Sequence, residues 1–146
     1  MILTLLKCKL HGATVTGADL NYEGSIGIPR DLMDAAGLLA HEQVDVLNFS
    51  NGARLTTYVL EYPASCGEIV INGPAAHLVK KGDKVIVCAY AQMKPSAAKK
   101  HTPTVIIMGA KNTIKPKRDA SMIDPKRVAK KPTTKRAPTK KVGKKK

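Results

Sequence analysis

A chain of 146 residues with one Phe and no Trp has room for one compact domain and an extension. Its formal net charge of +14 is unevenly placed: residues 1–93 hold seven Lys and Arg against nine Asp and Glu, and residues 94–146 hold eighteen against two. The basicity belongs to the C-terminal third, so it does not mark the first ninety residues as a nucleic-acid-binding domain.

The elements follow in chain order. Ile2 to Leu6 reads as a short apolar strand and Ala13 to Thr16 as a second. Pro29 followed by Arg30 to Gly37 reads as a short helix, with proline in the first turn and glycine at the stop. Val44 to Phe49 and Arg54 to Tyr62 alternate in part on either side of Asn51-Gly52, a hairpin signal. Glu68 to Ile71 is a further strand, and a helical turn over Ala75 to Leu78 follows Asn72-Gly73-Pro74. Lys81-Gly82-Asp83 is a turn, Lys84 to Tyr90 a strongly β-prone strand and Thr104 to Met108 the last one. Many short strands separated by turn signals point to a mainly β chain folded as a small barrel with short helices.

After Lys111 the composition shifts to Lys, Pro, Thr and Ala. Such a segment cannot offset its ordering entropy by burial, so residues 112–146 read as a disordered basic tail behind a domain of residues 1–111. The three cysteines, Cys8, Cys66 and Cys88, are odd in number and far apart, which fits reduced thiols in the cytoplasm. Lys7 and Lys9 flank Cys8 and would favour its thiolate, although a half-buried strand cysteine explains the residue as well. No apolar run approaches the roughly 18 residues that span a bilayer, and Met1 to Leu6 lacks the basic leader of a signal peptide. The four histidines have no ligand spacing with cysteine or acid, so no metal site is expected.

The most informative peptide is Tyr22-Glu23-Gly24-Ser25. A serine hydroxyl can attack the carbonyl just before it if the backbone is bent into reach, and glycine at the preceding position permits unusual torsions. Alone, Gly-Ser is a common turn pair. Its companions are Lys9 and His11, Thr16, Ala18-Asp19-Leu20, Asp34-Ala35-Ala36-Gly37, Asn51-Gly52 with Arg54, Thr57-Tyr58, and Asn72-Gly73-Pro74-Ala75-Ala76-His77. In this order and spacing the set resembles the bacterial aspartate 1-decarboxylase family from Met1 to about Met93. Pro74 stands where that family often has alanine, and Cys8 where a small residue is usual.

The resemblance implies a double-psi β-barrel and decarboxylation of L-aspartate to β-alanine on the route to pantothenate. It also implies self-cleavage between Gly24 and Ser25 that turns Ser25 into a covalent pyruvoyl group, and a homotetramer of processed subunits. A pyruvoyl group accepts the electrons left by a departing carboxylate, as pyridoxal phosphate does, through an imine to the substrate amine. Arg54 would clamp a substrate carboxylate, since guanidinium matches carboxylate bidentately. Tyr58 would deliver a proton, because a phenol keeps its proton at neutral pH; four residues apart on a regular strand, the two share a face. Thr57 would act in cleavage and contact substrate, although a regular strand turns it to the opposite face, so local irregularity or a second subunit is needed. Gly73 and Ala75 would donate backbone N–H groups to a carboxylate, a contact that Pro74 cannot make. Asn72 would fix the turn or bond the pyruvoyl group, Lys9 would add positive charge, Tyr22 would line the pocket and His11 would support processing. Two other readings stand beside this one: a barrel that has lost catalysis, and a protein whose tail makes nonspecific contact with nucleic acid or another acidic surface.

Overall fold

The computed structural model describes residues 1–115. Of the tail expected to be disordered, residues 112–146, the part from residue 116 onward lies outside the described residues. Eight strands form one mixed sheet: β1 (Leu3–Thr14), β2 (Gly17–Asp19), β3 (Ser25–Pro29), β4 (Gln43–Asn48), β5 (Arg54–Tyr62), β6 (Val70–Asn72), β7 (Lys84–Met93) and β8 (Thr104–Ile107). Their order is β2-β6-β3-β5-β4-β7-β1-β8. The pairs β1–β8, β2–β6 and β3–β5 are parallel and the remaining neighbours antiparallel. This is the double-psi β-barrel, and its interior is filled by Leu10, Val15, Ile26, Ile28, Val46, Val59, Ile71 and Val87, all buried.

Three differences from the sequence reading have physical causes. The two strands expected at Ile2 to Leu6 and Ala13 to Thr16 are one continuous strand, β1, which keeps its pairing to β7 through register shifts at Leu6/Cys8 and His11/Ala13. Gly12, at φ +83°, sits in the second shift, where a bulge absorbs the residue that breaks the alternation. Strand β3 was not expected at all: Ser25 to Pro29 is buried at every position, so it has no polar alternation to reveal it. The hairpin is real, but Asn48 N–H donates to the Ala53 carbonyl and Gly52 N–H to the Asn48 carbonyl, so the connection is wider than Asn51-Gly52 alone.

Helix α1 (Arg30–Ala36) follows Pro29 and stops at Gly37, which adopts φ +71°. A single 3-10 turn covers Gly73–His77, with Pro74 in its first positions. Helix α2 (Pro95–Ala98) follows β7.

The folded body passes the boundary expected after Lys111. Asn112 is buried, accepts the Thr14 N–H at 2.7 Å, and donates to the Thr14 and Gly67 carbonyls at 2.8 Å each. Ile114 then bridges to Met108. Lys111 and Asn112 both hold positive φ, which asparagine tolerates better than most residues. Asn112→Ala leaves three backbone groups without this partner, and its expected cost is about 2–4 kcal/mol of stability in denaturant unfolding.

Candidate active site

Ser25 opens β3 and is fully buried. The antiparallel register sets it opposite Asn72 at the end of β6. Asn72 Nδ2 donates to Ser25 Oγ at 2.9 Å, and Ser25 Oγ donates to the Glu23 carbonyl at 3.4 Å. The hydroxyl is therefore held from one side by a side-chain amide and turned back along its own chain on the other. Among the described residues no carboxylate or imidazole hydrogen-bonds to it.

The expected role of Gly24 is not what the geometry shows. Its φ lies outside the left-handed region that favours glycine. A Cβ at Gly24 would meet Pro74 Cδ at 3.7 Å, an ordinary contact. Glycine's special torsions do not create the bend at residue 24. The left-handed glycine beside it is Gly73, at φ +68° and buried.

Gly24 lines an open cleft of about 420 Å³ with Leu55, Thr56, Thr57, Tyr58, Pro74, Ala75 and Leu78. This gathers Gly24, Thr57, Tyr58, Pro74 and Ala75 at one place, next to Ser25 and Asn72. Thr57 lines the cleft within a single chain, where local irregularity or a second subunit was expected to be needed. The Tyr58 ring lies 6.4 Å from that of His41, a neighbour the sequence reading missed because the loop before β4 carries no periodic signal.

Arg54 belongs to a different depression. With Asp45, Leu47, Leu55, Thr56 and Tyr90 it lines a hollow of about 210 Å³. Arg54 and Tyr58 do share the exposed side of β5, but about 13 Å of strand separates their Cα atoms, and Leu55 and Thr56 form the wall between the hollows. Asp45 was also missed; it accepts the Thr56 hydroxyl at 2.7 Å from the facing position on β4. Lys9 is farther still. It faces Cys88 across β1–β7, and β4 and β7 lie between its strand and β5. One chain thus brings Ser25, Asn72, Thr57 and Tyr58 together and leaves Arg54 and Lys9 outside that cleft.

His11 lies near Lys9 on β1 and packs edge-on against Phe49 at 5.5 Å. Burial and then the Lys9 charge push its imidazole below the ordinary histidine value, and among the described residues its buried Nδ1 has no hydrogen-bond partner. Burial pushes the Cys8 thiol up and outweighs the pull of Lys7, so the packed-cysteine reading holds and the thiolate reading does not. Lys7 itself is bound to Glu42 at 2.7 Å. All three cysteines are free, with Cys8 and Cys88 buried and Cys66 exposed.

Fold and site together define a small mixed β-barrel with a buried serine at the mouth of an open cleft. Residues 1–115 match the aspartate decarboxylase family. The aspartate 1-decarboxylase of Phenylobacterium zucineum (strain HLK1) is 56% identical over 115 residues, which cover 79% of this chain and 98% of the relative. That of Caulobacter vibrioides (strain ATCC 19089 / CIP 103742 / CB 15) is 57% identical over the same shares. That of Clostridium beijerinckii (strain ATCC 51743 / NCIMB 8052) is 55% identical, covering 79% of this chain and 93% of the relative. The chain belongs to the aspartate decarboxylase family.

Proposed function

We propose that this protein decarboxylates L-aspartate to β-alanine and CO₂, supplying pantothenate synthesis in the cytoplasm, after cutting its own chain between Gly24 and Ser25. The observation that carries the reading is the buried Ser25 hydroxyl, fixed by Asn72 and turned toward the preceding main chain beside the Thr57–Tyr58 cleft. Family membership supports the substrate.

The cleavage balances without an outside reagent other than water. Ser25 Oγ attacks the Gly24 carbonyl carbon, the amide C–N bond breaks, and the nitrogen takes the hydroxyl proton, leaving an ester. Loss of the Ser25 Cα proton and of the Gly24 carboxylate leaves dehydroalanine, and water then releases ammonia and a pyruvoyl group at residue 25. The site suits so small a group, being fully enclosed at Ser25 with one amide donor in reach and open at the neighbouring cleft. When present, the pyruvoyl carbonyl supplies the electron sink that decarboxylation needs.

The chain's own residues do the rest. Ala75 lines the cleft, Gly73 lies two residues before it in the same turn, and both would offer main-chain N–H groups to a carboxylate. Tyr58 stands at the cleft with a proton to give. Arg54 and Lys9 suit the second carboxylate by charge, yet lie away from this cleft. We infer that a neighbouring subunit presents them, which accords with a homotetramer of processed subunits. The catalytic unit is the barrel through residue 111 and its packed continuation, and the basic residues beyond add a nonspecific contact with nucleic acid. Among the described residues no helix is long and apolar enough to cross a membrane.

Ser25→Ala is expected to abolish both chain cleavage and β-alanine formation, read from labelled L-aspartate; product from this variant removes Ser25 from the chemistry. Arg54→Ala is expected to cleave normally but to lose about 30-fold or more in kcat/KM for aspartate, equivalent to about 2 kcal/mol. Unchanged turnover would reassign the clamp. Removing residues 116–146 is expected to keep turnover and to eliminate salt-sensitive retention on DNA; retention by the shortened chain contradicts the assignment to the tail.

A further inference from the structure

Asn72 and Gly73 are adjacent, and they touch opposite partners of one reaction. Asn72 holds the attacking hydroxyl. Gly73 lies against the segment that is attacked: a Cβ built on it would fall 2.8 Å from Gly24 Cα, 2.8 Å from Gly24 N and 2.9 Å from the Tyr22 carbonyl oxygen. All three are backbone atoms, so no side-chain rotation relieves the crowding. The contrast with Gly24 is sharp, because among the described residues a Cβ there meets nothing closer than Pro74 Cδ at 3.7 Å.

We propose that Gly73 is a positioning residue for self-cleavage. Its missing side chain lets the start of the 73–77 turn back directly onto Tyr22–Gly24 and hold the Gly24 carbonyl where Ser25 Oγ can reach it. The proposal rests on the self-cleavage reading above and adds to the substrate contact proposed for the Gly73 N–H. One dipeptide thereby fixes both reactants, the nucleophile through an amide side chain and the electrophile through bare backbone. Intramolecular attack depends steeply on such placement, and a displacement of about 1 Å can cost about 100-fold in rate. A methyl group at residue 73 must push the 22–24 segment away by a comparable amount.

Gly67 supplies a matched control. It holds φ +67°, and a Cβ there would lie 3.0 Å from the Lys111 carbonyl oxygen, at the Asn112 end of the barrel. Gly73→Ala, Gly73→Asn and Gly67→Ala would be purified alongside the unsubstituted protein and each checked for a cooperative heat-unfolding transition. Asparagine tolerates a left-handed φ, so Gly73→Asn carries the Cβ with less torsional strain and serves if the alanine variant does not fold. Cleavage would be followed by denaturing mass spectrometry, with and without hydroxylamine, which cuts an ester between residues 24 and 25 and leaves a Gly24 hydroxamate. The expected result is cleavage of the unsubstituted and Gly67→Ala chains at similar rates. The Gly73 variants are expected to be slowed about 100-fold or more and to resist hydroxylamine, because the ester never forms.

Gly73 variants that cleave within a few-fold of the unsubstituted rate would overturn the proposal. So would hydroxylamine cutting of Gly73 variants that do not cut spontaneously, since Gly73 would then act after the shift. Equal slowing of Gly67→Ala would overturn it too, because cleavage would then follow general stability. An uncut unsubstituted chain would instead overturn the self-cleavage reading itself.

Discussion

The hydrogen bond from Asn72 Nδ2 to Ser25 Oγ, 2.9 Å long and fully enclosed, is the contact on which the site is built. It exists because β3 and β6 run antiparallel with Ser25 facing Asn72. A shift of one residue in that pairing would turn Ser25 to the opposite face and remove the contact. The register is in turn secured by the neighbouring pairs, Ile26 with Ile71 and Gly27 with Val70, whose isoleucines lie in the core. Burial of apolar side chains thus fixes the position of an alcohol.

The barrel's topology decides what a single chain can assemble. Parallel pairing of β3 with β5 carries Thr57 and Tyr58 to the Ser25 end of the cleft. The same strand begins at Arg54, on the far side of Leu55 and Thr56. Strand β5 therefore serves two hollows and unites neither Arg54 nor Lys9 with Ser25. The subunit association proposed above would close that gap. The chain also exposes Tyr90, which lines the Arg54 hollow, and Phe49, aromatic surface of the kind that subunit packing covers.

Much of this was legible in the residues. Pro29 and Gly37 delimited α1, and the β-branched run from Lys84 marked β7. The Ser25, Thr57, Tyr58 and Asn72 set that the family resemblance pointed to is brought together. What stayed hidden has physical reasons. Strand β3 is buried along its whole length and includes Gly27 and Pro29, so neither alternation nor composition betrayed it. The hairpin signal at Asn51-Gly52 could not give the register: a two-residue turn would set Leu47 opposite Thr56, whereas Leu47 pairs with Arg54. The separation of Arg54 from Tyr58's cleft follows from how β5 passes between hollows, which strand periodicity does not encode. Nor could sequence say which glycine was constrained. Gly24 precedes the serine and seemed the flexible one, yet contact between distant segments places the restriction at Gly73.

The central claim is that residue 25 ceases to be serine in the working protein. The most direct measurement is the mass, under denaturing conditions, of the purified protein that turns over aspartate. The account predicts two chains, residues 1–24 with a free carboxylate at Gly24, and residues 25–146 lighter by one ammonia than a chain beginning with serine. An active preparation made only of uncut polypeptide, or of a second chain with an unaltered serine at its start, would contradict it.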